Sequence, residues 1–243
     1  LLFLGAVLFG RDKVPQGVHL FAACMVALGT FISSFWILAA NSLMQTPQGL
    51  ELVNGIYHVS SWSEALFTPS FGYRFLHMAL ASFLTAALVV AGVSAWFLLK
   101  NREFEANRKA LSIALWFLLF LAPAQALVGD FHGINTLKYQ PMKVAAMEGN
   151  WETQKGVPLL LFAIPDKEEQ TNHFEVKIPK LASFILTHDW DGEVPGLKEV
   201  SKEEQPPVFI VFWSFRVMVA LGFLMIGFAL WGLILRRKGQ YYK

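Results

Sequence analysis

Four stretches of this chain stay apolar long enough to cross a bilayer: residues 18–40, 75–99, 110–128 and 208–235. A helix rises ~1.5 Å per residue and the hydrocarbon layer is ~30 Å thick, so about 20 apolar residues suffice. A helix also satisfies its own backbone where there is no water. Residues 1–9 are apolar but too few to span, and are read as the remainder of a helix that begins upstream. The expected class is all-α, a polytopic transmembrane bundle with one long polar loop between the third and fourth spans. The expected division is 1–130 for the first helices, 131–207 for the loop, and 208–243 for the last helix and its tail.

Composition supports this pattern. The 243 residues are 55% hydrophobic and 16% charged, with mean hydropathy +0.45, against about 25% charged in soluble domains. The net charge of +2 says little, because the charges are segregated by segment. Lys100, Arg102, Arg108 and Lys109 lie between the second and third spans, Arg236, Arg237 and Lys238 in the tail, and Arg11 and Lys13 before the first span. The positive-inside rule places these in the cytoplasm and residues 41–74 and 129–207 outside. The loop is long enough to escape that rule. Its Trp151 and its runs at 159–162 and 184–186 imply partial folding, with short helices on the membrane surface. The lone Cys24 cannot form an intrachain disulfide and reads as a small buried residue. Gly129-Asp130-Phe131-His132-Gly133 reads as a turn without nucleotide-motif spacing. Nothing has the form of a zinc site, a catalytic triad or a nucleic-acid patch, and no nucleic-acid partner is expected. His19, His58, His132, His173 and His188 read as interfacial or loop residues.

His77 sits where polar sequence gives way to the second span. It is either an interfacial histidine bound to a carbonyl or water, or a ligand to haem iron. Met218, on the fourth span, is either packing or the second ligand that a six-coordinate b-type haem needs. Arg216 lies inside the same apolar run and must find an anion, water or the interface. A haem propionate is such an anion, although Arg216 and Met218 stand about 200° apart on a regular helix.

Residues 141–148 form a helix-like stretch opened by Pro141 and closed by Gly149. It carries Lys143 and Glu148, about 140° apart. They are either solvated surface charges or a quinol site, where a carboxylate takes a proton and a lysine bonds the quinol oxygen. On the first span, Thr30, Ser34 and Asn41 share a helix face. They suit interhelical hydrogen bonds or a polar lining for protons, and a haem-free transporter or channel bundle is the competing reading.

Taken together, Trp36-Ile37-Leu38-Ala39-Ala40-Asn41-Ser42-Leu43-Met44-Gln45, Phe75-Leu76-His77, Lys143-Val144-Ala145-Ala146-Met147-Glu148 with Trp151-Glu152-Thr153-Gln154, and Phe215-Arg216-Val217-Met218-Val219 resemble subunit I of cytochrome bd-type quinol oxidases. The resemblance runs in order over nearly the whole chain. It implies an electrogenic, non-pumping quinol:oxygen oxidoreductase of the bacterial cytoplasmic membrane, oxidising ubiquinol or menaquinol and reducing dioxygen to water. It implies His77 and Met218 as ligands of the low-spin haem b, Arg216 beside that haem, and Lys143 and Glu148 in the quinol loop. It places Asn41 and Ser33 on a proton route, whereas helix geometry favours Ser34 on the face of Asn41. Implied partners are oxidase subunit II, a small single-helix subunit and lipid.

The early and late helices of the family lie outside this sequence, and with them the ligands of the high-spin haem b and haem d. The chain is therefore expected to hold the electron-accepting half and to be inactive alone. The outer loop passes almost directly from Gly196-Leu197-Lys198-Glu199 to Pro206-Pro207, which resembles the short-loop branch that includes cyanide-insensitive oxidases.

Overall fold

The computed structural model describes residues 1–102 and 104–238. Its order is α1 (Leu2–Phe9), α2 (Gln16–Gln45), β1 (Leu50–Val53), β2 (Ile56–Val59), α3 (Trp62–Leu66), α4 (Phe71–Leu99), α5 (Phe104–Tyr139), α6 (Pro141–Glu148), β3 (Gln154–Lys155), β4 (Leu159–Asp166), β5 (Thr171–Ile178), α7 (Leu181–Thr187), β6 (Glu193–Val194), a 3-10 turn (Leu197–Glu199) and α8 (Val208–Arg237). The helices α2, α4, α5 and α8 are long and apolar enough to cross a membrane, as the four apolar runs require. Little of their surface is buried, and large side chains such as Phe21, Trp96, Phe120 and Phe223 stand exposed. That suits helices whose solvent is lipid.

The chain forms two compact units, Leu1–Phe75 and Leu76–Lys243. In the first, α1 packs on α2, and the β1–β2 hairpin leads to α3. Thr46 and Ser70 share a hydroxyl hydrogen bond of 2.7 Å, and Arg74 donates to Ser70 Oγ and to Asn41 Oδ1. Cys24 is exposed rather than buried, because the α2 face it occupies is uncovered.

In the second unit, α4, α5 and α8 share a core of Leu84, Ala87, Leu118, Ala122 and Ala229. Alanines at three of these positions let the helix backbones approach closely, the usual solution where apolar burial gives no net drive. The polar segment folds onto the start of α8. It contains α6 and α7, in line with the short helices expected, and also the antiparallel β4–β5 hairpin, which the mixed pattern of residues 159–178 did not announce.

A second expectation is overturned. Residues 129–133 are not a turn: α5 continues through them to Tyr139, and the expected division after residue 130 falls inside a helix. Thr136 Oγ1 donates to the His132 carbonyl one turn back, within unbroken helix. Glycine costs a helix only about 1 kcal/mol relative to alanine, which ten more residues of helix outweigh.

Candidate functional site

Helix α6 forms as its ends dictate. Pro141 occupies the first turn, where no N–H is needed, and Gly149 closes the helix in the left-handed conformation at φ +69°. Its burial is dense: Val144, Ala145, Ala146 and Glu148 are all inside. Glu148, the last helical residue, is 6% exposed. Lys143 lies on the same helix but does not line the cleft beside Glu148, as their angular separation of about 140° requires.

The partner of Glu148 comes from α8. Val208, Phe212 and Arg216 recur every four residues and form one stripe, packed against α6 and β4. Arg216 Nη2 donates to Glu148 Oε2 at 2.7 Å, and its Nε donates to the Leu160 carbonyl at 2.6 Å. Its guanidinium also lies 4.7 Å from the centre of the Phe212 ring and 5.4 Å from that of Phe215. Both members of the pair are nearly buried, with 10% of the arginine and 6% of the glutamate side chain exposed. The anion of Arg216 in this structure is thus the carboxylate of Glu148. Charge accounting pointed to an anion for Arg216; nothing in the spacing named one 68 residues away.

Below Glu148 opens a cleft of about 270 Å³, bordered by Trp151, Gln154, Asn172, Glu175 and Lys177 among others. That is close to the lower bound of ~300 Å³ for small-molecule pockets. Two asparagines frame it. Asn172 donates to the Gly149 carbonyl and accepts from Trp151 Nε1, each at 2.9 Å. Asn150 donates to the carbonyls of Val194 and Pro195. Both were missed from sequence, since a lone asparagine in a loop carries no periodic signal.

His77 lies on α4 with its ring against α5. A side chain at Gly129 would bring its Cβ within 3.3 Å of His77 Cε1, and the His132 ring centre is 5.7 Å away. His77 Nδ1 is buried and has no hydrogen-bond partner among the described residues. Met218 lies on α8, two residues past Arg216, and its side chain is exposed. His77 thus packs on the last third of α5, the helix that α6 follows. An unsatisfied buried imidazole beside a bare backbone fits a metal-bound planar group, as does an exposed thioether on a helix of the same core.

The other candidates are scattered. Thr30 and Ser34 donate to carbonyls of their own helix, Val26 and Phe31. Ser33 is exposed. Asn41 instead accepts from Arg74 at 3.2 Å. His173, expected as a lone loop residue, faces two carboxylates at the β4–β5 tip: Asp166 at 3.8 Å and Glu169 at 3.5 Å. Asp166 Oδ1 accepts the backbone N–H groups of Glu168 and Glu169, and these bonds hold its carboxyl below the usual range.

A family model of cytochrome bd terminal oxidase subunit I matches residues 1–242. The chain belongs to that family. It is 35% identical over 98% of its length to the cytochrome bd ubiquinol oxidase subunit 1 of Bacillus subtilis, covering 53% of that protein. It is 33% identical over 84% of its length to the cytochrome bd-II ubiquinol oxidase subunit 1 of Escherichia coli, covering 40% of it. A solved bd oxidase from Geobacillus thermodenitrificans superposes with a TM-score of 0.83 at 32% identity, over 99% of this chain and 57% of that one. The bd-family chain thus spans about half the length of these relatives and carries the helical, multi-pass character that the apolar runs implied.

Proposed function

We propose that this chain is the quinol-oxidising, electron-accepting part of subunit I of a bd-type terminal oxidase in a bacterial cytoplasmic membrane. The observation that carries this is the buried pair between Glu148 and Arg216. It fixes the Glu148 carboxylate on the border of the cleft, through an arginine that lies two positions before Met218 on α8.

In this reading a ubiquinol or menaquinol head group occupies the cleft. Each quinol gives up two protons and two electrons as it becomes quinone. Glu148 accepts a proton from a quinol hydroxyl, as a positioned carboxylate can, and Lys143, on the outer part of α6, supplies positive charge to the loop. His77 and Met218 would hold a low-spin haem b, which when bound would supply a one-electron acceptor. Oxygen reduction belongs to the rest of the assembly, with subunit II, a small single-helix subunit, and the high-spin haem b and haem d. There four electrons and four protons convert one dioxygen to two waters. Asn41, with Ser33 and Ser34, belongs to the proton supply of that reaction. The net reaction moves charge without pumping, and the residues present here do not perform it alone.

The test is spectroscopic. In the intact oxidase, His77→Ala and Met218→Leu should each abolish the α-band of the low-spin haem. An unchanged reduced-minus-oxidised spectrum in both variants would remove the ligand assignment.

A further inference from the structure

We infer that Arg216 is a positioning residue for quinol oxidation: it holds the Glu148 carboxylate in place at the head of the cleft. The inference rests on the proposed quinol-oxidising role of Glu148. It differs from the sequence expectation, in which Arg216 serves a haem propionate.

Arg216 is held in every direction. In the guanidinium plane, Nη2 meets Glu148 and Nε meets the Leu160 carbonyl of β4. The rings of Phe212 and Phe215 lie within cation–π distance of it, at 4.7 and 5.4 Å. Three elements therefore converge on one side chain: α8, which carries it, α6 through Glu148, and β4 through Leu160. Glu148 is the last residue of an eight-residue helix, and Gly149 beyond it is in the left-handed conformation. Among the described residues Glu148 has no ion-pair partner besides Arg216. Without that contact the carboxylate is free to rotate away from the cleft. A buried charge that loses its partner is strongly disfavoured.

The fork shape matters as much as the charge. Lysine at residue 216 would be a point charge on a flexible stem, without the planar fork that meets both Glu148 and the Leu160 carbonyl. The two-position step from Arg216 to Met218 turns their side chains about 200° apart. Helix α8 thus presents the anchor for the proton acceptor on one face and Met218 on another. A single rigid element then sets both positions.

The test uses the intact oxidase with a short-chain ubiquinol as substrate. Four variants are compared: Glu148→Gln, Arg216→Gln, Arg216→Lys and the double Glu148→Gln/Arg216→Gln. Positioning predicts that Glu148→Gln and Arg216→Gln each lower kcat at least about tenfold, with KM changed less than about threefold. Arg216→Lys should fall between Arg216→Gln and the parent. The double variant should be no slower than the slower single variant, because both changes disable one carboxylate. The low-spin haem spectrum should persist in all four.

Multiplying effects in the double variant would overturn the inference. So would a change in the low-spin haem spectrum on Arg216→Gln that persists in the Glu148→Gln background, since Arg216 would then act on the haem. If Arg216→Gln does not assemble, Arg216→Lys decides: lowered kcat with an intact haem spectrum supports positioning, and parental kcat overturns it. Full turnover of Glu148→Gln itself would remove the quinol reading and this inference with it. Slow Glu148→Gln beside fully active Arg216→Gln would remove this inference alone.

Discussion

The His77 imidazole lies against the bare backbone of Gly129, where a Cβ would come within 3.3 Å of Cε1 and 3.7 Å of Nδ1. Such a contact is tighter than most side-chain packing, so a β-carbon there would push the ring back by a few tenths of an ångström. The glycine is helical, and φ there is ordinary, so closeness and not backbone freedom explains it.

Gly129→Leu should therefore displace the imidazole, and Gly129→Ala should do so less. In the intact oxidase the low-spin haem band should be lost or shifted in the leucine variant, with a smaller shift in the alanine variant. A parental spectrum in Gly129→Leu would mean that the His77 ring does not hold the haem where the proposal puts it.

Asn172 links the wall of the cleft to the end of α6, donating to the Gly149 carbonyl and accepting from Trp151 Nε1. Asn172→Leu leaves both partners unpaired in a partly buried place, at a cost of about 1–3 kcal/mol for each unsatisfied group. The expected results are faster amide exchange across the β4–β5 hairpin and a KM for ubiquinol raised several-fold with kcat nearly kept. Unaltered exchange and KM would show that the cleft wall stands without this link.

The β4–β5 tip should loosen in acid. Hydrogen bonds from the Glu169 and Glu168 N–H groups, with the nearby His173, lower the Asp166 pKa in the folded chain. A depressed carboxylate stabilises the fold above its ordinary range near 4, and that contribution is lost as pH falls through the folded value. Amide exchange at residues 168 and 169 should therefore accelerate between about pH 4 and lower values. In Asp166→Asn that acid-dependent step should vanish; its persistence would assign it to another group.

The sequence spoke most clearly where one physical rule acts locally. Four apolar runs became α2, α4, α5 and α8 because a bilayer leaves a spanning chain no other way to satisfy its backbone. Helix α6 runs from Pro141 to Glu148 because proline starts a helix cheaply and a left-handed glycine ends one. The fault at residues 129–133 came from reading two glycines as a turn, when Gly129 is there to admit the neighbouring imidazole.

By itself, then, the chain determined its four apolar spans, its short capped helix and the residues put forward for haem and quinol, since these follow from hydrophobicity, capping and donor chemistry along contiguous residues. Tertiary structure alone decided that Arg216 pairs with Glu148, that His77 rests on Gly129, and that Asn172 braces Trp151. Each of those pairings joins residues tens of positions apart, and such distances close only when helices and a hairpin pack, which no local periodicity encodes.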